Sequence, residues 1–202
     1  SGSVTIVDDA ANIGNKYLQL THKEARNTTT LKVFEDLPKM TEAEFAFRLY
    51  TGGQTSTSRM GYTGIKLMSG DTELVALYFG ELRAAGDTSS IWYSNAGFDA
   101  KVESSAKVTY GGWYDISVEI DFKNDTLDVY VGNTKIASGL AIDPVVQNVD
   151  TFAFMTFDPN GGTKVTPTVG IDDVTISYIE KTAEDDVVTI YSLAAIENIS
   201  VT

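Results

Sequence analysis

The stretch Trp113-Tyr-Asp-Ile-Ser-Val-Glu-Ile-Asp-Phe122 decides the fold. Ile116, Val118, Ile120 and Phe122 share one parity, and Asp115, Ser117, Glu119 and Asp121 share the other. That period of two is the mark of a strand with one dry face and one wet face. The same alternation runs through Glu44–Tyr50, Tyr62–Met68, Thr72–Phe79, Thr126–Val131, Asp150–Phe157 and Val169–Tyr178. Val4–Val7, Lys16–Thr21 and Thr28–Phe34 add three shorter runs. Turn chemistry separates them. Ser69-Gly-Asp71 and Lys123-Asn-Asp125 suit short hairpin turns, and Val131-Gly-Asn-Thr134 suits a two-residue hairpin needing positive φ. Asp158-Pro-Asn-Gly-Gly162 suits a longer loop. Helical expectation is confined to short pieces around Thr41–Ala43 and Ile142–Gln147. Strands at about ten-residue spacing predict an all-β fold, an antiparallel two-sheet β-sandwich of the jelly-roll kind.

Composition narrows the chemistry. The chain has 202 residues, enough to bury a core without a disulfide or a metal. Its 43% hydrophobic and 21% charged content argues against global disorder. Fifteen basic residues against 28 acidic ones leave a net charge of −13. Such a surface repels phosphate backbones, so nucleic acid and anionic membrane are poor partners. No apolar run is long enough to predict membrane insertion. There is no cysteine, which removes thiol catalysis and thiolate metal sites. The lone histidine, His22, would have to anchor any Ser-His-Asp triad or lyase constellation, and no arginine-rich strand accompanies it.

Three segments carry a family resemblance. Gly14-Asn-Lys-Tyr-Leu-Gln-Leu20 resembles the opening of concanavalin-like jelly rolls. Gly112–Asp121 followed by Thr126–Gly132 resembles a laminin-G-like hairpin. Gly170-Ile-Asp-Asp-Val-Thr-Ile176 resembles the last strand of many bacterial carbohydrate-binding modules. Their order is similar to that of one concanavalin A-like, laminin-G-like domain over residues 4–180. Ser1-Gly2-Ser3 reads as a cloning remnant, and residues 181–202 read as a linker and the start of a following immunoglobulin-like module. A terminal strand of the same domain is the alternative for that last segment.

The resemblance implies a non-catalytic carbohydrate-binding module of a larger secreted or cell-surface bacterial polysaccharide-active protein. Its partners would be a polysaccharide or oligosaccharide and the neighbouring domains of the same chain. Trp92 is the stacking candidate, with Tyr93, Tyr50, Tyr62 and Tyr78 beside it. Arg48, Arg59, Arg83 and Asn95 are the candidates for bonding hydroxyls or a uronate, with Glu81 beside them, and Thr51–Gly61 would wall the cleft. Trp113, Tyr110 and Tyr130 are expected to be packing residues. A structural spacer or adhesive domain is the alternative function. A hydrolase is a third, because Glu119-Ile-Asp121 resembles part of the laminarinase catalytic strand, with Asn124 and Asp125 where a second Glu is wanted.

Calcium is the expected cofactor, in a structural role. The parity of Val174, Ile176 and Tyr178 would turn Asp172 inward, a costly position unless the carboxylate is paired, bonded to backbone N–H groups or ligating; a carboxylate capping local amides, or a bulge that turns Asp172 outward, is the alternative. Related modules tie this strand to the N-terminal region through Ca²⁺. Asp172, Asp173, Asp8, Asp9 and Asn12 are the oxygen donors that the resemblance implies.

Overall fold

A computed structural model describes residues 2–9, 14–22, 28–32, 34, 36–56, 62–80, 82–157, 165–181, 187–192 and 200–201. Fifteen strands are formed by these residues: β1 (Gly2–Asp8), β2 (Lys16–His22), β3 (Thr28–Lys32), β4 (Met40–Ser56), β5 (Tyr62–Ser69), β6 (Thr72–Gly80), β7 (Thr88–Ser94), β8 (Val102–Thr109), β9 (Trp113–Asp121), β10 (Thr126–Val131), β11 (Thr134–Ala141), β12 (Thr151–Phe157), β13 (Val165–Glu180), β14 (Val187–Ser192) and β15 (Ser200–Val201). The first sheet runs β1-β2-β13-β4-β9-β10-β11, with β14 also paired to β13. The second runs β15-β3-β12-β5-β6-β7-β8. Neighbouring strands pair antiparallel in both sheets.

Alternation builds the core. Phe45, Phe47 and Leu49 of β4 and Ile116, Val118 and Ile120 of β9 all face the second sheet. Ile65, Leu67, Leu77, Phe79, Phe152 and Phe154 face back. The layers meet ring to ring, with Phe152 edge-on to Phe45 at 5.0 Å and to Phe47 at 4.9 Å. Edge-to-face aromatic pairs of this kind add stability beyond their buried area.

The expected hairpins form where the turn residues allow them. Ser69 pairs with Thr72 across Gly70-Asp71, and Gly70 has φ 53°. Val131 pairs with Thr134 across Gly132-Asn133, and Gly132 has φ 56°. The Asp158–Gly162 loop lies outside the described residues. The two short helical expectations fail. Thr41–Ala43 continues β4, because Ala43 alternates inward in step with Phe45. Ile142–Gln147 is a proline turn instead. Asp143 Oδ1 accepts the Val145 N–H at 3.0 Å, and Asp143 O accepts the Val146 N–H at 2.9 Å. The one helical element among the described residues is a 3-10 turn, η1, at Phe98–Ala100.

β13 carries a bulge that reverses its parity. Asp172 pairs with Arg48 and Thr175 with Ala46, so three steps on β13 match two on β4. Asp173, at φ 49°, takes up the extra residue. Upstream of the bulge Val169 and Ile171 are the core residues; downstream they are Val174, Ile176 and Tyr178. The same bulge divides the strand's free edge. β2 pairs along Thr168–Ile171, and β14 pairs along Thr175–Glu180.

Candidate functional site

The outer face of the first sheet is laid down row by row by the β4–β9 register. Tyr50 stands opposite Trp113, Arg48 opposite Asp115, Ala46 opposite Ser117, Glu44 opposite Glu119 and Glu42 opposite Asp121. The result is a trough with an aromatic end, a charged middle and an acidic end. Two depressions open along it. One, of about 620 Å³, lies over Glu42, Glu44, Glu119, Asp121 and Asp128. The other, of about 310 Å³, lies over Ala46, Arg48, Asp115, Ser117 and Asp173.

At the aromatic end, Tyr17 of β2 reaches across β13. A side chain on Gly170 would put its Cβ 2.6 Å from the Tyr17 ring and 3.0 Å from Tyr50 Cβ, so only glycine fits beneath. Tyr17 stands edge-on to Trp113 at 5.1 Å and 5.7 Å from Tyr50, which lies 5.1 Å from Trp113. All three rings are half-buried. Burial, followed by the neighbouring Tyr17, Tyr110 and Asp9, raises the Tyr50 hydroxyl above its ordinary range. Trp113, expected as a packing residue, packs against Tyr17 and Tyr50, and its parity matches that of Asp115, on the outer face. The Arg48 guanidinium lies 4.9 Å from the Trp113 ring centre and pairs with Asp115 and Asp173, each at 3.6 Å. Both carboxylates hold it in the trough floor.

At the acidic end, Asp128, Glu119 and Glu44 form one continuous cross-strand row. Like charges placed directly opposite cost stability and repel anions. Glu119 accepts the Tyr130 hydroxyl at 2.8 Å. Asp121 caps the following turn, accepting Asn124 Nδ2 at 2.7 Å and the Lys123 and Asn124 N–H groups at 3.0 Å. These bonds, the Asn124 amide first, hold its carboxyl below the usual carboxylate range. Glu119 and Asp121 thus share the face as their spacing requires. Asp125, at φ 54°, belongs to the hairpin turn beyond them.

The remaining stacking candidates stand on the opposite side of the sandwich. Tyr62 of β5, Tyr78 of β6 and Trp92 of β7 face outward from the second sheet, so the expected cleft joining Tyr50 to them does not form. Tyr62 is edge-on to Trp92 at 5.4 Å and lies 5.0 Å from Phe98. Tyr78 lies over Gly64 and under Phe98, at 0% exposure, and cannot stack on a ligand. Its hydroxyl has no hydrogen-bond partner among the described residues, and burial, then Glu73, holds it protonated far above the tyrosine range. Tyr93 has the opposite parity from Trp92 and packs against the core. Asn95 donates to Ala141 O at 2.5 Å. Arg83 is exposed in the turn closed by Asp87, which accepts the Arg83 N–H at 2.7 Å. Arg59 and Glu81 lie outside the described residues, as does 57–61 of the expected cleft wall.

The expected calcium donors disperse. The bulge puts Asp172 on the outer face, 7% exposed under the N-terminal segment rather than in the core. Asn15 Nδ2 donates to its Oδ2 at 2.7 Å and the Asp173 N–H donates to its Oδ1 at 2.9 Å, so both oxygens face N–H donors. Asp173 turns to Arg48, and Asp8 pairs with Lys16 at 3.6 Å. Asp9 is buried, its N–H donating to Asn15 O at 2.9 Å. Asn12 lies outside the described residues. Among the described residues no three acidic or histidine side chains converge on a common ion position.

No protein-family model matches the chain, and no curated protein matches it. Solved structures do. A structure titled "Sialidase" superimposes with a TM-score of 0.56 at 13% identity, over 86% of this chain and 16% of that one. Alginate lyase AlyC3 gives 0.51 at 10% identity, over 85% of this chain and 88% of that one. Cellulose induced protein Cip1 gives 0.50 at 12% identity, over 90% and 88%. The chain therefore spans about a sixth of the sialidase. At these identities the likeness establishes the fold, a two-sheet antiparallel β-sandwich of jelly-roll type.

Proposed function

We propose that this chain is a non-catalytic glycan-binding module of a larger secreted or cell-surface polysaccharide-active protein, and that the trough on the first sheet is its binding face. The observation carrying this reading is the Tyr17–Tyr50–Trp113 cluster at the head of an open trough floored by Ala46 and Ser117. Aromatic faces stack on the C–H face of a pyranose, and small floor residues leave room for the next ring. A neutral glycan suits the site better than a uronate. The Glu44–Glu119–Asp128 row repels anions, and Arg48 is already engaged by two aspartates.

The two tryptophans make the test direct, since each reports one side of the sandwich. Neutral polysaccharide is expected to quench the emission of a Trp92→Phe protein, which retains only Trp113, and not that of a Trp113→Phe protein. In affinity electrophoresis Trp113→Ala is expected to weaken binding by roughly tenfold. Quenching confined to Trp92 would move the site to the second sheet. No retardation on any neutral or anionic polysaccharide would leave the spacer reading, which the full burial of Tyr78 favours. Sugar release that disappears in Glu119→Gln would instead support a hydrolase.

A further inference from the structure

The aromatic group on the second sheet, left over by the glycan trough, has its own occupant. Lys101 Nζ lies 3.9 Å from the centre of the Phe98 ring and 5.3 Å from that of Tyr62. Among the described residues this ammonium has no carboxylate partner. That choice is unusual in a chain with 28 acidic residues. An ammonium that leaves water for two ring faces reports a local π surface favourable to cations.

The architecture around it is built rather than accidental. Tyr62 is wedged edge-on against Trp92 on one side and lies close to Phe98 on the other. Tyr78 backs Phe98 at 5.1 Å and 87°, locked over Gly64, where any side chain would meet its ring at 2.8 Å. The floor is therefore rigid. The walls Tyr62, Trp92 and Phe98 are half-buried and reach solvent. Phe98 and Lys101 both come from the segment that follows Gly97, whose φ of 85° suits glycine. One short turn thus supplies both a wall of the cage and the group that fills it.

We propose that Tyr62, Trp92 and Phe98 form an aromatic cage for an alkylammonium group, and that Lys101 fills the cage in the free protein as an intramolecular competitor. The ligand class is an organic cation carried on a small molecule or polymer, with quaternary ammonium suited to a surface of ring faces beside which Glu103 stands opposite Trp92. The net charge of −13 raises the local concentration of such cations. Displacement requires only rotation of the Lys101 side chain. Because the site lies on the opposite sheet, it stands or falls independently of the glycan trough.

The experiment uses the full chain with Trp113→Phe, so that emission comes from Trp92 alone. Tetramethylammonium chloride is titrated against sodium chloride at equal ionic strength. A saturable response to tetramethylammonium and not to sodium is expected. Adding Lys101→Ala removes the competitor and is expected to lower the midpoint by roughly tenfold. Adding Phe98→Leu is expected to abolish the response, and its folding is checked by the unchanged far-ultraviolet spectrum. Independently, proton resonances of the Lys101 ε-methylene are expected upfield from ring currents, and to return toward ordinary values as tetramethylammonium saturates. A response equal to that of sodium in Lys101→Ala would overturn the cage. A midpoint unchanged by Lys101→Ala would overturn the competition. Persistence of the response in folded Phe98→Leu would also count against the cage.

Discussion

Tyr78 shows how much a single buried polar atom reveals. Its ring is wholly enclosed, yet its hydroxyl finds no hydrogen-bond partner among the described residues, and Glu73 Oε1 nearby is in the same state. An unmade buried hydrogen bond costs about 1–3 kcal/mol. Tyr78→Phe is therefore expected to raise the melting temperature by a few degrees while leaving the fold intact. A lower melting temperature would mean that a bridging group satisfies the hydroxyl. Gly170 makes the complementary point with no side chain at all. Gly170→Ala pushes a methyl into the Tyr17 ring and the base of Tyr50. Overpacking of that kind costs about 1–3 kcal/mol. Calorimetry is expected to show the loss, and Trp113 emission to shift as Tyr17 moves off it.

At the scale of elements, the β9–β10 hairpin carries a pH response that can be worked out in sign. Asp121 caps the turn and its carboxyl is held below the usual range by the Asn124 amide and the turn N–H groups. A lowered folded-state value contributes stability above the unfolded value, near pH 4, and loses it as pH falls through the lowered one. The Asp121 contribution is expected to shrink as pH falls below the unfolded value and to vanish once pH lies below the lowered one. Acid titration of melting temperature should therefore be flatter in Asp121→Asn than in the parent over that window. The β13 bulge governs a second element-level expectation. It aims Asp172 at Asn15 and Asp173 at Arg48, tying β13 to the N-terminal segment and to β4 through side chains already paired. A chelator is expected to leave the melting temperature unchanged; a rise on adding calcium chloride would show that an ion site is completed from outside the described residues.

The whole molecule presents two outer faces with different chemistry, a polar trough on one sheet and a covered aromatic group on the other. It also has an edge that β14 closes beside the bulge. A chain ending at Lys181 leaves Thr175–Glu180 with one unpaired ladder, and exposed ladders recruit other chains. Such a truncation is expected to elute from size exclusion as concentration-dependent oligomers, whereas a purely monomeric profile would show that β14 contributes nothing to closure. Much of this organisation was legible in the chain itself. Alternation through Trp113–Phe122 and Glu44–Tyr50 foretold both the strands and their dry faces, because period-two patterning is local. Gly70 and Gly132 foretold their turns for the same reason. β8 and β11 escaped, since Val102-Glu-Ser-Ser-Ala-Lys-Val-Thr109 has too few apolar residues to declare a parity, and Gly139, at φ 63°, interrupts β11. The sites were legible only in their residue types. Which aromatic residues meet depends on strand order, and sheet order joins segments as distant as Tyr17, Gly170, Tyr50 and Trp113. The parity of Asp172 depended on one extra residue whose presence shows only when β13 is paired against β4. The sequence by itself determined an acidic, cysteine-free two-sheet sandwich and the facing of most strands. Tertiary structure alone decided that Tyr50 stands with Trp113 rather than Trp92, because face is a local property and neighbourhood a long-range one.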